Sequence, residues 1–218
     1  ISDRYVNREQ EGFGTISTAL IYPSRYTQLY YDTIHEKATH LFKDMGINNG
    51  VLTIQAFVDK GKIMFYDPAF RTTGGQGYIL YEYFGTVDQI KMLIVFALTG
   101  KMVDEDTRIK DECNFGSSWA TNLVILAKTG KIGCIRGIQE ARLIKGVINV
   151  TQCHSEGDEI KGEGTLDQTI SRIHIVAPSR EELASNIQTV LNGIKVTYEN
   201  GCDMLLTQFN PSDLLIKY

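Results

Sequence analysis

Residues 51–58, VLTIQAFV, alternate along a strand period. The polar turn Asp59–Lys62, DKGK, follows, and then a second apolar run, Ile63–Tyr66. An alternating run, a short glycine-containing turn and another apolar run define a β-hairpin. No other feature constrains this chain as tightly, because antiparallel strands set facing residues side by side. A turn at Lys60–Gly61 brings Gln55 opposite Asp67, so that an amide oxygen and a carboxylate face the same space. Arg71 stands four residues after Asp67, and Gly74 and Gly75 follow in TTGGQG. Magnesium takes hard oxygen ligands and keeps several waters, so one or two protein carboxylates plus phosphates suffice to hold it. An arginine fork matches phosphate geometry. Glycines let backbone N–H groups approach an anion. The same residues also describe an ordinary hairpin with an exposed Asp67–Arg71 contact worth about 0–1 kcal/mol. TTGGQG is not a P-loop, since the trailing Gly-Lys-Ser/Thr is missing.

The hairpin sits in a mixed succession of elements. GTISTALIY, residues 14–22, predicts a strand closed by Pro23, and ISDRYVN predicts one at the very start. Ser24 caps an expected helix to about Met45, with Gly46 as its stop. Thr86-x-x-Gln89 forms a capping box for a helix through Thr99, ended by Gly100. The aromatic cluster Tyr78, Tyr81, Tyr83 and Phe84 is expected to pack a loop onto the core. The charged stretch DEDTRIKDE, from Asp104 to Glu112, predicts a solvated loop. Beyond it, short β-rich runs punctuated by glycine predict an antiparallel sheet. Trp119 is expected in its core. A second capping box, Ser179-x-x-Glu182, starts a helix to Asn192. The expected class is α+β, with residues 1–103 as one lobe, 104–116 as an exposed linker and 117–218 as a smaller β-rich subdomain.

Composition narrows the function. A net charge of −4 lacks the basic footprint of a nucleic-acid binder. The longest apolar run, Met92–Leu98, falls short of the roughly 20 residues a membrane span needs. The four cysteines and four histidines show no paired ligand spacing. The cysteines are therefore expected as free thiols in a reducing, cytoplasmic setting and the histidines as ordinary surface or core residues. The chain begins at Ile1, and we expect it to be a piece whose N-terminal part lies upstream.

The order of elements resembles the C-terminal part of the ATP-grasp superfamily. The helix end KDMGINNG, then VLTIQAFVDKGKIMFYDPAFR, GGQGY and GTVDQIKMLIVFALTG follow its pattern. There a strand with Gln or Glu leads through a hairpin to a strand ending Glu-x-Asn-x-Arg, and a helix opened by Gly-x-Asp closes in Ala-x-x-Gly. Gly85, Asp88, Ala97 and Gly100 match that last part. GDEIKGEGTLDQTISRIHIVAPSREELASNIQTVLNGI is similar to the C-terminal sheet and helix of biotin carboxylases and phosphoribosylglycinamide synthetases. The large chain of carbamoyl phosphate synthetase belongs to the same comparison. The resemblance covers about Ser24 to Ile194. It implies an ATP-grasp C-terminal lobe, an antiparallel sheet with flanking helices, plus a small β-rich subdomain.

That resemblance further implies a function. Gln55 and Asp67 would ligate Mg2+ (or Mn2+) bridging the ATP phosphates. Arg71 would be catalytic, contacting the γ-phosphate or an acyl phosphate, and Gly74 and Gly75 would line the nucleotide. The substrates would be a small-molecule carboxylate and a nucleophile, an amine by expectation. The missing N-terminal ATP-grasp domains, with their lid lysines and adenine hinge, would complete the enzyme, and a homodimer is a further expectation. The 218 residues alone would be inactive. Two departures weigh against a second metal. The asparagine ligand falls on Ala69, and the glutamate is the shorter Asp67. Ala69 favours an alternative, a degenerate module that binds nucleotide or a partner without turnover. A plain α+β interaction domain is a third reading. It requires the Gln55 and Asp67 side chains to point apart.

Overall fold

The computed structural model describes residues 1–6, 16–85, 87–102 and 115–216. Two compact units emerge: Ile1 with Ser24–Cys113, and Ser2–Pro23 with Asn114–Tyr218. The early strands thus join the second unit, not the lobe that follows them in sequence. β1 (Asp3–Val6) pairs antiparallel with β2 (Ser17–Tyr22), and β2 pairs with the strand Trp119–Leu126. Thr18, Ala19, Ile21 and Tyr22 are all buried. Such burial on both faces suits a strand flanked by neighbours within a covered sheet.

In the first unit the single expected helix is two: α1 (Thr27–Thr33) and α2 (His35–Asp44). Ile34 separates them at φ −123°. Thr33 donates its hydroxyl back to the Leu29 carbonyl at 2.6 Å, a contact that bends helices, and two β-branched residues in succession crowd the turn. The His35 ring lies against Tyr30 and Tyr31. Gly46 closes α2 at φ +82°. Its N–H reaches Lys43 O and that of Ile47 reaches Phe42 O, the paired bonds of a Schellman motif.

The hairpin follows as β3 (Thr53–Asp59) and β4 (Lys62–Ala69). Lys60 at φ 45° and Gly61 at φ 74° form a two-residue turn of the type whose twist suits strands. Next come α3 (Tyr78–Tyr83), with Leu80 fully buried, and α4 (Gln89–Thr99). The cap of α4 is Asp88, whose carboxylate accepts the Lys91 N–H at 2.9 Å. The expected cap, Thr86, lies outside the described residues. Gly100 at φ 74° ends the helix as expected.

The second unit adds β5 (Trp119–Leu126), β6 (Gly130–Arg136), β7 (Val147–Gln152), β8 (Glu159–Ile160), β9 (Thr169–Ala177), α5 (Arg180–Gly193) and β10 (Lys195–Tyr198). An antiparallel sheet runs β1-β2-β5-β9-β7, and a smaller one β10-β6-β8. Leu183, Ala184, Ile187 and Val190 form one stripe of α5 and share a buried cluster with Leu123, Ile125, Ile173 and Ile175. Ser179 caps α5 by accepting the Glu182 N–H at 3.1 Å. The Glu182 carboxylate pairs instead with Lys145 at 2.8 Å. Trp119 is half-buried against this core, with the Arg180 guanidinium 4.3 Å from its ring centroid. Cys134, Cys153 and Cys202 are free thiols; Cys113 and the charged stretch Asp104–Glu112 lie outside the described residues. Among those residues no helix is long and apolar enough to cross a membrane.

One loop of this unit carries a pH-dependent contribution. Asp167 accepts the backbone N–H groups of Lys161 at 2.7 Å and Gly162 at 3.2 Å. These bonds hold its pKa below the ordinary value of 3.8. A depressed folded-state pKa means that the stabilisation is complete at neutral pH and fades as pH falls below about 4. Asp167→Asn should therefore flatten the acid limb of stability, read as urea midpoints between pH 7 and pH 3, without a comparable change in slope above pH 5.

Candidate functional site

The hairpin register decides what the candidate residues can do together. The pairs Asp59–Lys62, Val58–Ile63, Phe57–Met64 and Ala56–Phe65 step regularly away from the turn. Continued unbroken, that register would set Gln55 against Tyr66. A bulge shifts it, and Gln55 pairs with Asp67. Two residues on the bulged strand then oppose one on its partner, which re-aims their side chains. Gln55 Nε2 donates to Asp67 Oδ2 at 2.5 Å, and the Tyr66 hydroxyl donates to Gln55 Oε1 at 2.8 Å. The side chains of Gln55 and Asp67 therefore share one face and touch, which removes the reading that needed them apart.

Arg71 is exposed just past β4. Its Nη1 donates to the Thr72 carbonyl at 3.0 Å, and it forms no ion pair with Asp67. The surface Asp–Arg contact is thus absent, and the rest of the fork is open to solvent. Thr53 holds the arginine's backbone, its hydroxyl donating to Arg71 O at 2.8 Å. The two glycines differ. A side chain at Gly74 would enter open space, so its backbone is approachable. The Gly75 N–H donates to Thr73 Oγ1 at 3.2 Å and is already committed in this state.

Sequence reading missed Thr53, Tyr66 and Phe57. The Phe57 and Tyr66 rings stack at 4.4 Å, nearly parallel at 19°, beside the Gln55–Asp67 pair. Their signal was present in the alternation, since Phe57 lies two residues from Gln55, but the bulge that brings Tyr66 in has no local signature. Ala69 pairs with Thr53 and, two residues beyond Asp67, lies on the same face with no donor to offer. Among the described residues no group of three or more His, Cys, Asp or Glu side chains is arranged to hold a metal ion.

No protein-family model and no curated protein matches the sequence. Solved structures do. Phosphoribosylglycinamide synthetase from Anaerococcus prevotii superposes with a TM-score of 0.69 at 13% identity, over 90% of this chain and 48% of that one. L-amino acid ligase from Bacillus licheniformis gives 0.68 at 20% identity, over 84% of this chain and 44% of that one. The biotin carboxylase domain of Hydrogenobacter thermophilus 2-oxoglutarate carboxylase, solved as a dimer with MgADP and bicarbonate, gives 0.66 at 17%, over 90% and 41%. The chain has an ATP-grasp fold. It spans under half the length of each of these ATP-grasp proteins. Identity this low carries the architecture alone, and fold does not fix chemistry.

Proposed function

We propose that the chain is the C-terminal part of an ATP-dependent carboxylate–amine ligase and supplies its phosphate-side residues. The observation that carries this reading is the Gln55–Asp67 contact, an amide and a carboxylate meeting on one hairpin face. The ATP-grasp fold agrees with it. The donor set fits one magnesium ion. Asp67 contributes the anionic oxygen, and Gln55 Oε1 becomes available when the Tyr66 hydroxyl turns away. It does not fit two, because Ala69 brings no oxygen. The bound ion would neutralise phosphate charge.

The protein's own groups have defined tasks in this reaction. The open fork of Arg71 binds the transferring phosphoryl group and stabilises the charge on its oxygens. Thr53 keeps Arg71 at the end of β4. The substrate carboxylate oxygen bonds to the γ-phosphorus as ADP leaves, giving an acyl phosphate. The amine nitrogen then bonds to the acyl carbon, phosphate departs and the amine gives up a proton. The remainder of the ATP-grasp architecture, which the solved relatives carry in more than as much chain again, supplies the lid and adenine contacts. We place the whole in the cytoplasm, as a homodimer.

Trapping tests this directly. The full-length protein, with ATP, magnesium, hydroxylamine and a panel of small carboxylates, should yield a hydroxamate with at least one of them. Arg71→Lys, which keeps charge but loses the bidentate fork, should lower that rate about tenfold to a hundredfold. An Arg71→Lys variant as fast as wild type would remove Arg71 from the mechanism.

A further inference from the structure

A second polar site lies on the five-stranded sheet, away from the hairpin. Ile173 and Ile175 of β9 face the core under α5, so Arg172 and His174 project from the opposite face. Asn122 of β5, His174 and Asn149 of β7 form one rung across that face, and Val124, Arg172 and Thr151 form the next. Asn122 and His174 are fully buried. Asn149 Nδ2 donates to Thr151 Oγ1 at 3.0 Å and lies 3.4 Å from His174 Nδ1. Arg172 is half-buried, yet it has no hydrogen bond and no ion pair among the described residues. Loss of water pushes its pKa down, and the Cys153 thiol is the titratable group that offsets this.

A guanidinium withdrawn from water without a counter-charge destabilises a fold unless something completes it. Five donors in a planar fork match the oxygens of a carboxylate or a phosphate. Its strand neighbours Thr151 and Val124 bring no negative charge that would compete. We infer that Arg172, with Thr151 beside it and Asn149, itself against His174, holding Thr151 in place, binds an oxyanion, the carboxylate or phosphate group of a small ligand. The site lies wholly in the second unit and uses no residue of the hairpin, so it stands or falls apart from the ligase reading.

Thermal unfolding of the protein at fixed ionic strength in chloride, acetate or inorganic phosphate tests it, together with an NMR titration of the Arg172 Nε–H resonance. Phosphate or acetate should raise Tm by several degrees over chloride and shift that resonance, and the more effective anion tells which group is bound. Arg172→Met should abolish the anion-specific rise while unfolding in chloride at or above the wild-type Tm, since it removes an uncompensated charge. General salting effects persist in both proteins and cancel in the comparison. An Arg172 resonance and Tm indifferent to both anions would overturn the site, as would an equal rise in Arg172→Met. An Arg172→Met protein that unfolds well below wild type in chloride, with no anion response in the parent, would make Arg172 purely structural. Should Arg172→Met fail to fold, the wild-type titration decides alone.

Discussion

Asp67→Asn in the full-length protein should lower ATP-dependent acyl transfer at least about a hundredfold while leaving the fold intact. The reason lies in what the substitution keeps. Asparagine has the same shape, and its Oδ1 can still accept from Gln55 Nε2, so the cross-strand contact survives. Only the negative charge is lost. In the proposed site that charge sits on the single anionic protein oxygen offered to magnesium, because the Gln55 amide is neutral and Ala69 offers no ligand. Gln55 is expected to be less sensitive, as its amide oxygen is neutral and already accepts from Tyr66. Hydroxamate formation and the urea midpoint, measured on the same preparations, separate the two effects. A large fall in stability alongside the fall in rate would point to a structural Asp67 instead.

The second large effect concerns stability. Gly137 sits at φ +82° just after β6, and a Cβ there would lie 2.0 Å from the Gly193 carbonyl oxygen at the end of α5. The obstacle is backbone on an element anchored by Leu183, Ile187 and Val190, so it cannot swing aside. Left-handed strain of about 1–2 kcal/mol combines with an overpacking cost of about 1–3 kcal/mol. Gly137→Ala should therefore destabilise the protein by about 2–5 kcal/mol, seen as a fall in the urea midpoint. Gly157 is the control. It has φ +91°, and a Cβ there would meet nothing within 4 Å, so Gly157→Ala should show the strain alone. Equal losses at the two glycines would contradict the close approach of α5 to the β6 end.

Local signals made much of this fold legible. The turn chemistry at Lys60–Gly61, the caps at Ser179 and Gly100 and the strand alternation are all short-range, and each element formed where its signal stood. What stayed hidden was long-range. β2 pairs with β5 across an intervening unit, and nothing in STALIY names its partner. The helix break at Ile34 arises from Thr33 bonding backward and from the crowding of two successive β-branched residues, Thr33 and Ile34, which periodicity does not register. The Gln55–Asp67 pairing was anticipated from a turn position, yet the structure reaches it through a bulge at Tyr66. The right partner thus came by a route invisible in the sequence. Arg172 went unremarked, and His174 read only as an ordinary surface or core histidine, because polar residues spaced two apart in an apolar strand read simply as its other face.

Nucleotide binding by the full-length protein tests the central claim most directly, with ADP titrated calorimetrically in the presence of magnesium and again in EDTA. Wild type should bind MgADP more tightly than ADP alone, and Asp67→Asn should lose at least about tenfold in MgADP affinity while matching wild type in EDTA. Equal MgADP affinity in wild type and Asp67→Asn would contradict a metal-holding role for the hairpin.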